Sequence, residues 1–458
     1  MAEAEADSEL SGDRAVSLLR EPQARRRSPG LPGLCRFCWS LRSAQGDILA
    51  SVRVLKVFKA GLTTVPQDAL RQCEQLLQLD IGGNPLKSFP DVCSLPKLEI
   101  LFASNVGMAS LPDLSVCPRL RMLGIKDNNL TSLDGCLLPT CLEWLIAAGN
   151  QIAELPNIDR LQKVRKLMLS HNRLTCEALA PVSQMASLEM IRAAANDLEG
   201  FPASLLKHPR LAWVAVGGNP FAEGALSRHL AEGPKSLDFT ELRLADKLGS
   251  GAGATVHEGT WRDQKVAVKI WDSECFSDGT ARTEWAANRV ASQPGMVLEL
   301  LEGAKAAAGP PTFQTVTRDA LPCHGGPGPT YSVTAACRIA TNVAAAGAYL
   351  HSKGLMHGDI YLHNTLVVLD GLKDASAVKD VRLSDFGAAA AIDDPDLRRL
   401  EVRSFGWLLQ DLLESHAEAQ NEREAATLEL LKELRQRCAS TEPRELPSFE
   451  EIRGLLQG

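Results

Sequence analysis

The residues best placed to do chemistry stand late in the chain: Asp359 and Asn364 in His357-Gly358-Asp359-Ile360-Tyr361-Leu362-His363-Asn364, and Asp385 in Asp385-Phe386-Gly387. A carboxylate can take the proton of an attacking hydroxyl. An amide oxygen and a second carboxylate can hold magnesium against phosphate oxygens. Phosphoryl transfer from ATP needs that set of groups, in that order along the chain. Each short string is weak by itself, so the elements that must position the three residues decide the reading.

Upstream, residues 248–256 read Leu-Gly-Ser-Gly-Ala-Gly-Ala-Thr-Val, and Val266-Ala267-Val268-Lys269 follows. Small residues between two strands let backbone amides approach phosphates. The candidate nucleotide contacts are Gly249, Ser250, Gly251, Ala252, Gly253, Ala254, Val256, Ala267, Lys269 and Leu366. Residues 283–292 form an amphipathic stretch carrying Glu284, with Gln293-Pro294-Gly295-Met296-Val297 after it. Ile339 to His351 reads as a helix leading into His357.

On these residues, positions 240–458 resemble protein kinases, closest to the tyrosine-kinase-like serine/threonine group. The resemblance implies an α+β bilobal domain over 239–458, with ATP and magnesium as cofactors. It makes Asp359, Lys269 and Glu284 the candidate catalytic set and Asn364 and Asp385 the metal ligands. Glu284 would pair with Lys269, with Glu274 as the alternative. Glu401 would open the buried helix that anchors the catalytic loop, and the hinge between lobes would fall near Val316 to Asp319.

The sequence also departs from the kinase pattern. Gly358 stands where an Arg reads a phosphorylated activation loop, and no Ser, Thr or Tyr lies between Gly387 and Ser404. Tyr361 replaces the usual Lys, Ala254 the third glycine, and Asn288 an apolar residue. No Ala-Pro-Glu motif fits before Glu401, and Leu446 stands in place of the Arg that would pair with it. Control by loop phosphorylation and a full peptide-docking platform are therefore not expected.

The first half has a different logic. Leu76-x-x-Leu79-x-Ile81-x-x-Asn84-x-Leu86 recurs with its Asn position at Val106, Asn128, Asn150, Asn172, Asn196 and Asn219, after a degenerate copy at Ala60. This resembles leucine-rich-repeat proteins and implies an α/β solenoid of about eight repeats over residues 46–222, since one unit cannot bury its apolar face alone. Residues 1–45 lack periodicity and read as a disordered tail; residues 223–238 read as a linker or cap. Six and four residues before the Asn position, the concave strand sites include Ile100, Phe102, Met122, Trp144, Ile146, Met168, Met190 and Trp213. Such an apolar stripe suggests a docking site for a protein partner. The alternatives are that the kinase-like half covers it, or that the register is off by one.

Composition narrows the class. The chain has 458 residues, 45% hydrophobic and 23% charged, with net charge −7; this is a multidomain globular composition with no pull toward nucleic acid or anionic membrane. No apolar run could span a membrane, which disfavours a receptor kinase. Twelve cysteines without a second CxxC to join Cys35 and Cys38 read as reduced thiols of a cytoplasmic protein rather than a metal site. Two functions remain open: an active kinase whose repeats recruit a substrate or regulator, and a pseudokinase scaffold that binds nucleotide at most.

Overall fold

The computed structural model describes residues 46–229, 241–250, 254–271, 275–276, 278–280, 283–284, 297–327, 329–369 and 378–457. The expected N-terminal tail with Cys35 and Cys38, residues 230–238 of the linker, Gly251, Ala252, Gly253, Glu274 and Asn288 lie outside them.

Each repeat contributes one three-residue strand: β1 (Val54–Lys56), β2 (Gln78–Asp80), β3 (Ile100–Phe102), β4 (Met122–Gly124), β5 (Trp144–Ile146), β6 (Lys166–Met168), β7 (Met190–Arg192) and β8 (Trp213–Ala215). They pair in chain order into one parallel eight-stranded sheet. Alternation along a strand sends the middle residue inward. Leu79, Leu101, Leu123, Leu145, Leu167 and Ile191 accordingly have no exposed surface.

The repeated Asn closes each turn. The Asn84 Nδ2 donates to the carbonyls of Val57 and Ile81, both at 2.7 Å, while its Oδ1 accepts from Leu62 N. Asn128, Asn150, Asn172, Asn196 and Asn219 use the same atoms in the same way. A buried amide with its donors and acceptor matched is tolerated where an unmatched one would not be. Helix α1 (Pro220–His229) ends the array and buries Ala225 and Leu226 against Leu350, Leu355 and Ala391.

The second half begins with antiparallel strands β9 (Leu242–Ser250), β10 (Ala254–Trp261) and β11 (Gln264–Trp271), followed by a short hairpin of β12 (Cys275–Phe276) and β13 (Gly279–Thr280). Strand β14 (Val297–Glu299) adds to the edge of β11. Strand β15 (Lys305–Ala306) then pairs with β17 (Thr365–Leu369), which in turn pairs with β18 (Val378–Leu383). The remaining pair, β16 (Leu355–Met356) and β19 (Ala390–Ala391), joins the segment before the catalytic loop to the segment after Asp385.

The chain therefore passes from the first lobe to the second between β14 and β15, not near Val316 to Asp319. Strand pairing on either side of residues 300–304 fixes the crossing there.

Behind the second lobe's strands lie α2 (Val333–Ser352), α3 (Pro395–Leu400), α4 (Val402–Glu414), α5 (Glu422–Arg437) and α6 (Phe449–Gln457). The N-termini of α2, α3 and α5 are capped by the side chains of Ser332, Asp394 and Asn421, which satisfy amides that have no partner within the helix.

The two halves are packed as one body. Met356, Ala390, Ile392, Leu397 and Leu400 join the same apolar core as the repeat leucines. The concave stripe is covered as well: Ile100, Phe102, Met122, Trp144, Ile146 and Met168 cluster with Val316 and Phe313, and Met190 and Trp213 cluster with Tyr361. All eight are 0–5% exposed. The expectation of a docking stripe for a partner gives way to the alternative that the kinase-like half covers it: Phe313, Val316 and Tyr361 of the same chain fill it, because burying apolar surface within the chain removes it from water.

The cysteine expectation changes at one pair. Cys93 and Cys117, on successive repeats, form a disulfide, whereas Cys73, Cys136, Cys141, Cys176, Cys323, Cys337 and Cys438 are free thiols.

Candidate functional site

Strand register builds the nucleotide side of the site. Val256 on β10 lies opposite Gly249 on β9 and opposite Lys269 on β11, with Ser250 opposite Thr255. Ala254 and Ala267 lie on the same sheet, and Leu366 lies on β17 in the second lobe.

Lys269 Nζ donates to Glu284 Oε1 and lies 3.3 Å from Asp385 Oδ1. Glu284 is 2% exposed and its other oxygen accepts from Trp271 Nε1 at 2.7 Å. The Lys269 pKa is raised: burial pushes it down, but Asp385 and Glu284 together outweigh that. Asp385 is held below the usual carboxylate range because Lys269 and His357 overcome its burial. Both groups stay charged, as binding a polyphosphate and a cation requires.

The catalytic loop is fixed from beneath. Glu401, 2% exposed at the start of α4, accepts from Gly358 N and pairs through Oε2 with His351 Nε2 at 2.9 Å. His357 Nε2 bonds to the Ser384 carbonyl at 3.0 Å, and its ring packs on Phe386. Asn364 Nδ2 donates to both the carbonyl and Oδ2 of Asp359 at 3.0 Å. Its carbonyl accepts from Ser384 N and Oγ at 2.8 Å, which ties it to the segment carrying Asp385. With its NH2 committed to Asp359, the Asn364 amide offers its oxygen. An oxygen from Asn364 and a carboxylate from Asp385 are donors that suit magnesium, so the residues fit that ion.

Several functional neighbours escaped the sequence reading. Asp319, 2% exposed, accepts from Leu362 N at 2.8 Å and pairs with His363 Nδ1 at 2.6 Å, bracing the loop from the segment after β15. Arg192 of the seventh repeat donates from Nη2 to Asp359 Oδ1 at 2.5 Å and from Nη1 to the Gly358 carbonyl at 3.1 Å. Its Nε lies 2.9 Å from Asp278 Oδ1. Its pKa is raised, Asp359 and Asp278 outweighing burial. Arg192 occupies the position four before Asn196, one of the concave sites. A scan of that face for charge as well as apolar type would have found it.

The same docking accounts for two departures from the kinase pattern. Gly358 has φ +77°, and a Cβ there would lie 2.4 Å from the Ala388 carbonyl and 3.0 Å from that of Val214 on β8. Only glycine fits so close an approach. Tyr361 stacks on Trp213 with ring centroids 4.7 Å apart and planes 3° apart, and donates to the Thr317 carbonyl at 2.9 Å. Trp213 Nε1 donates in turn to the Ile360 carbonyl at 3.1 Å.

Residues 242–408 match the family model for protein tyrosine and serine/threonine kinases. The dual specificity protein kinase pyk3 of Dictyostelium discoideum is 24% identical over 262 residues, covering 48% of this chain and 19% of that protein. A putative mitogen-activated protein kinase kinase kinase 7-like protein of Drosophila melanogaster is 25% identical over 285 residues, covering 48% of this chain and 67% of that protein. An internalin C2 structure from Listeria monocytogenes aligns with 38% of this chain and 76% of its own, at 19% identity and TM-score 0.36. No described helix is long and apolar enough to cross a membrane. Residues 242–408 thus have the sequence of a protein kinase domain.

Proposed function

We propose that the chain is an ATP- and magnesium-dependent serine/threonine protein kinase acting in the cytoplasm without activation-loop phosphorylation. The observation that carries this reading is the joined state of the site. Lys269 bridges Glu284 and Asp385 while Asn364 holds Asp359.

In this reading Lys269 binds and orients the α and β phosphates, with its charge maintained by Glu284. Gly249, Ser250 and Val256 border the phosphates, and Ala267 and Leu366 border the base. Asn364 and Asp385 would hold magnesium, which would supply neutralisation of charge developing on the transferred group. Asp359 accepts the hydroxyl proton.

A second reading, the nucleotide-binding scaffold, is favoured by one observation: the Asp359 side chain is 12% exposed and one oxygen is paired to the repeats. Magnesium-dependent transfer of γ-phosphate by wild type and Asp359→Asn separates the two. A kinase loses about 10²–10⁴-fold in the variant, the usual worth of a positioned base. Equal rates, with a magnesium-ATP thermal shift retained in both proteins, establish the scaffold.

A further inference from the structure

The repeat array touches both lobes of the kinase domain at the catalytic centre. On the first-lobe side, Arg192 reaches Asp278 and His171 Nε2 bonds to the Gly279 carbonyl at 2.9 Å. Both lie in the β12–β13 hairpin that precedes Glu284. On the second-lobe side, Arg192 reaches Asp359 and the Gly358 carbonyl, and Trp213 reaches the Ile360 carbonyl. One guanidinium therefore spans from the base of the Glu284 segment to the carboxylate proposed to take the hydroxyl proton. The cation that the catalytic loop itself lacks, with Gly358 and Tyr361 in place of Arg and Lys, arrives from another domain.

We propose that Arg192 is a positioning residue for phosphoryl transfer: the seventh repeat supplies the cation that fixes Asp359 and ties it to the first lobe through Asp278. The inference rests on the kinase reading above. A planar guanidinium suits the task because its Nη atoms donate to Asp359 and Gly358 while its delocalised charge pairs with the Asp278 carboxylate, 2.9 Å from Nε, without a formed hydrogen bond. Arg192 is 3% exposed and its fork is committed to these partners, so it acts through Asp359 rather than on the phosphates.

Full-length wild type, Arg192→Ala, Arg192→Lys, Asp278→Asn and Asp359→Asn test this by steady-state γ-phosphate transfer, with water and a generic basic protein as acceptors. Magnesium-ADP binding and melting temperature are followed alongside. Arg192→Ala is expected to lose about 10–100-fold in kcat while KM for ATP stays within about threefold. Arg192→Lys should recover part of the loss, because a cation returns without the fork, and Asp278→Asn should lose severalfold. Asp278→Asn keeps the test open if Arg192→Ala does not fold.

An active wild type with Arg192→Ala unchanged overturns the proposal. So does a faster Arg192→Ala, which would mean that the repeats restrain Asp359. A kcat loss matched by loss of magnesium-ADP binding and of cooperative melting also overturns it, in favour of a structural role alone. A wild type no faster than Asp359→Asn removes the kinase reading itself, and is thereby told apart from failure of the Arg192 role.

Discussion

At the scale of single residues, the loop around Asp359 is shaped by what presses on it. Gly358 is a steric requirement set by Ala388 and by Val214 of the eighth repeat, so restoring the usual kinase Arg at this position should not restore a kinase feature. Gly358→Arg would force a side chain into the left-handed region and into two carbonyls, costing at least about 2 kcal/mol. The urea midpoint of the variant measures this. A midpoint equal to wild type would mean that neither the Ala388 nor the Val214 carbonyl presses on the loop in solution. The contacts of Lys269 with Asp385 and of Asn364 with Asp359 were legible because these residues sit in short local strings whose spacing is set by one turn or one strand. Arg192, Asp319 and Asp278 were not legible, because their roles arise from contacts between segments far apart in sequence, which local periodicity does not encode.

At the scale of elements, the repeats were readable from a period that registers every strand against the next. The concave stripe was identified by residue type, but the choice between a partner protein and the kinase-like half as its occupant stayed open, because apolar character says that a face is covered and not by what. Residues 313–317, which overlap the stretch Val316 to Asp319 read as the hinge, instead lie against the concave face. Phe313 sits under Arg121, 4.7 Å from its guanidinium, and Val316 joins the cluster of Trp144 and its neighbours. Thr317 Oγ1 bonds to Glu189, which is 2% exposed and also paired with Arg165 and Arg210. Trp144 is thus a core residue of the joined molecule, with Lys166 Nζ 3.9 Å above its ring. Trp144→Ala should destabilise the full chain by about 3–5 kcal/mol, the usual cost of emptying a buried aromatic site. Chemical denaturation reads it directly. A change under about 1 kcal/mol would mean that the stripe is open in solution, and would return it to the role of a partner surface.

At the scale of the whole molecule, the junction between repeats and second lobe carries its own pH dependence. Arg403 at the start of α4 donates to the carbonyls of His208 and Leu211 at 2.6 and 3.0 Å and to those of Ser440 and Thr441. Burial lowers its pKa to about 10, so it stays charged at neutral pH. His208, 2% exposed, is held neutral in the same place. Its Nδ1 accepts from the amides of Arg210 and Leu211, so Nε2 carries the proton donated to the Met185 carbonyl. Burial lowers its pKa below 6.5 despite that bond, and Arg403 and Arg210 lower it further. The unfolded chain therefore takes up the proton first as pH falls through about 6.5, and the folded form takes it up only at lower pH. Stability is complete above that value and declines below it, by at most about 1.4 kcal/mol per pH unit for one proton. Urea midpoints at pH 7.5 and 5.5 should show this decline. In His208→Gln, whose amide can donate to Met185 but cannot gain a proton, the midpoint should start lower and fall less. The same fall in both proteins would assign the pH dependence to other groups and leave His208 as packing alone. The larger fall in wild type would assign the decline to the buried ring of His208 and its bond to the Met185 carbonyl, directly beneath the main-chain carbonyl that Arg403 grips.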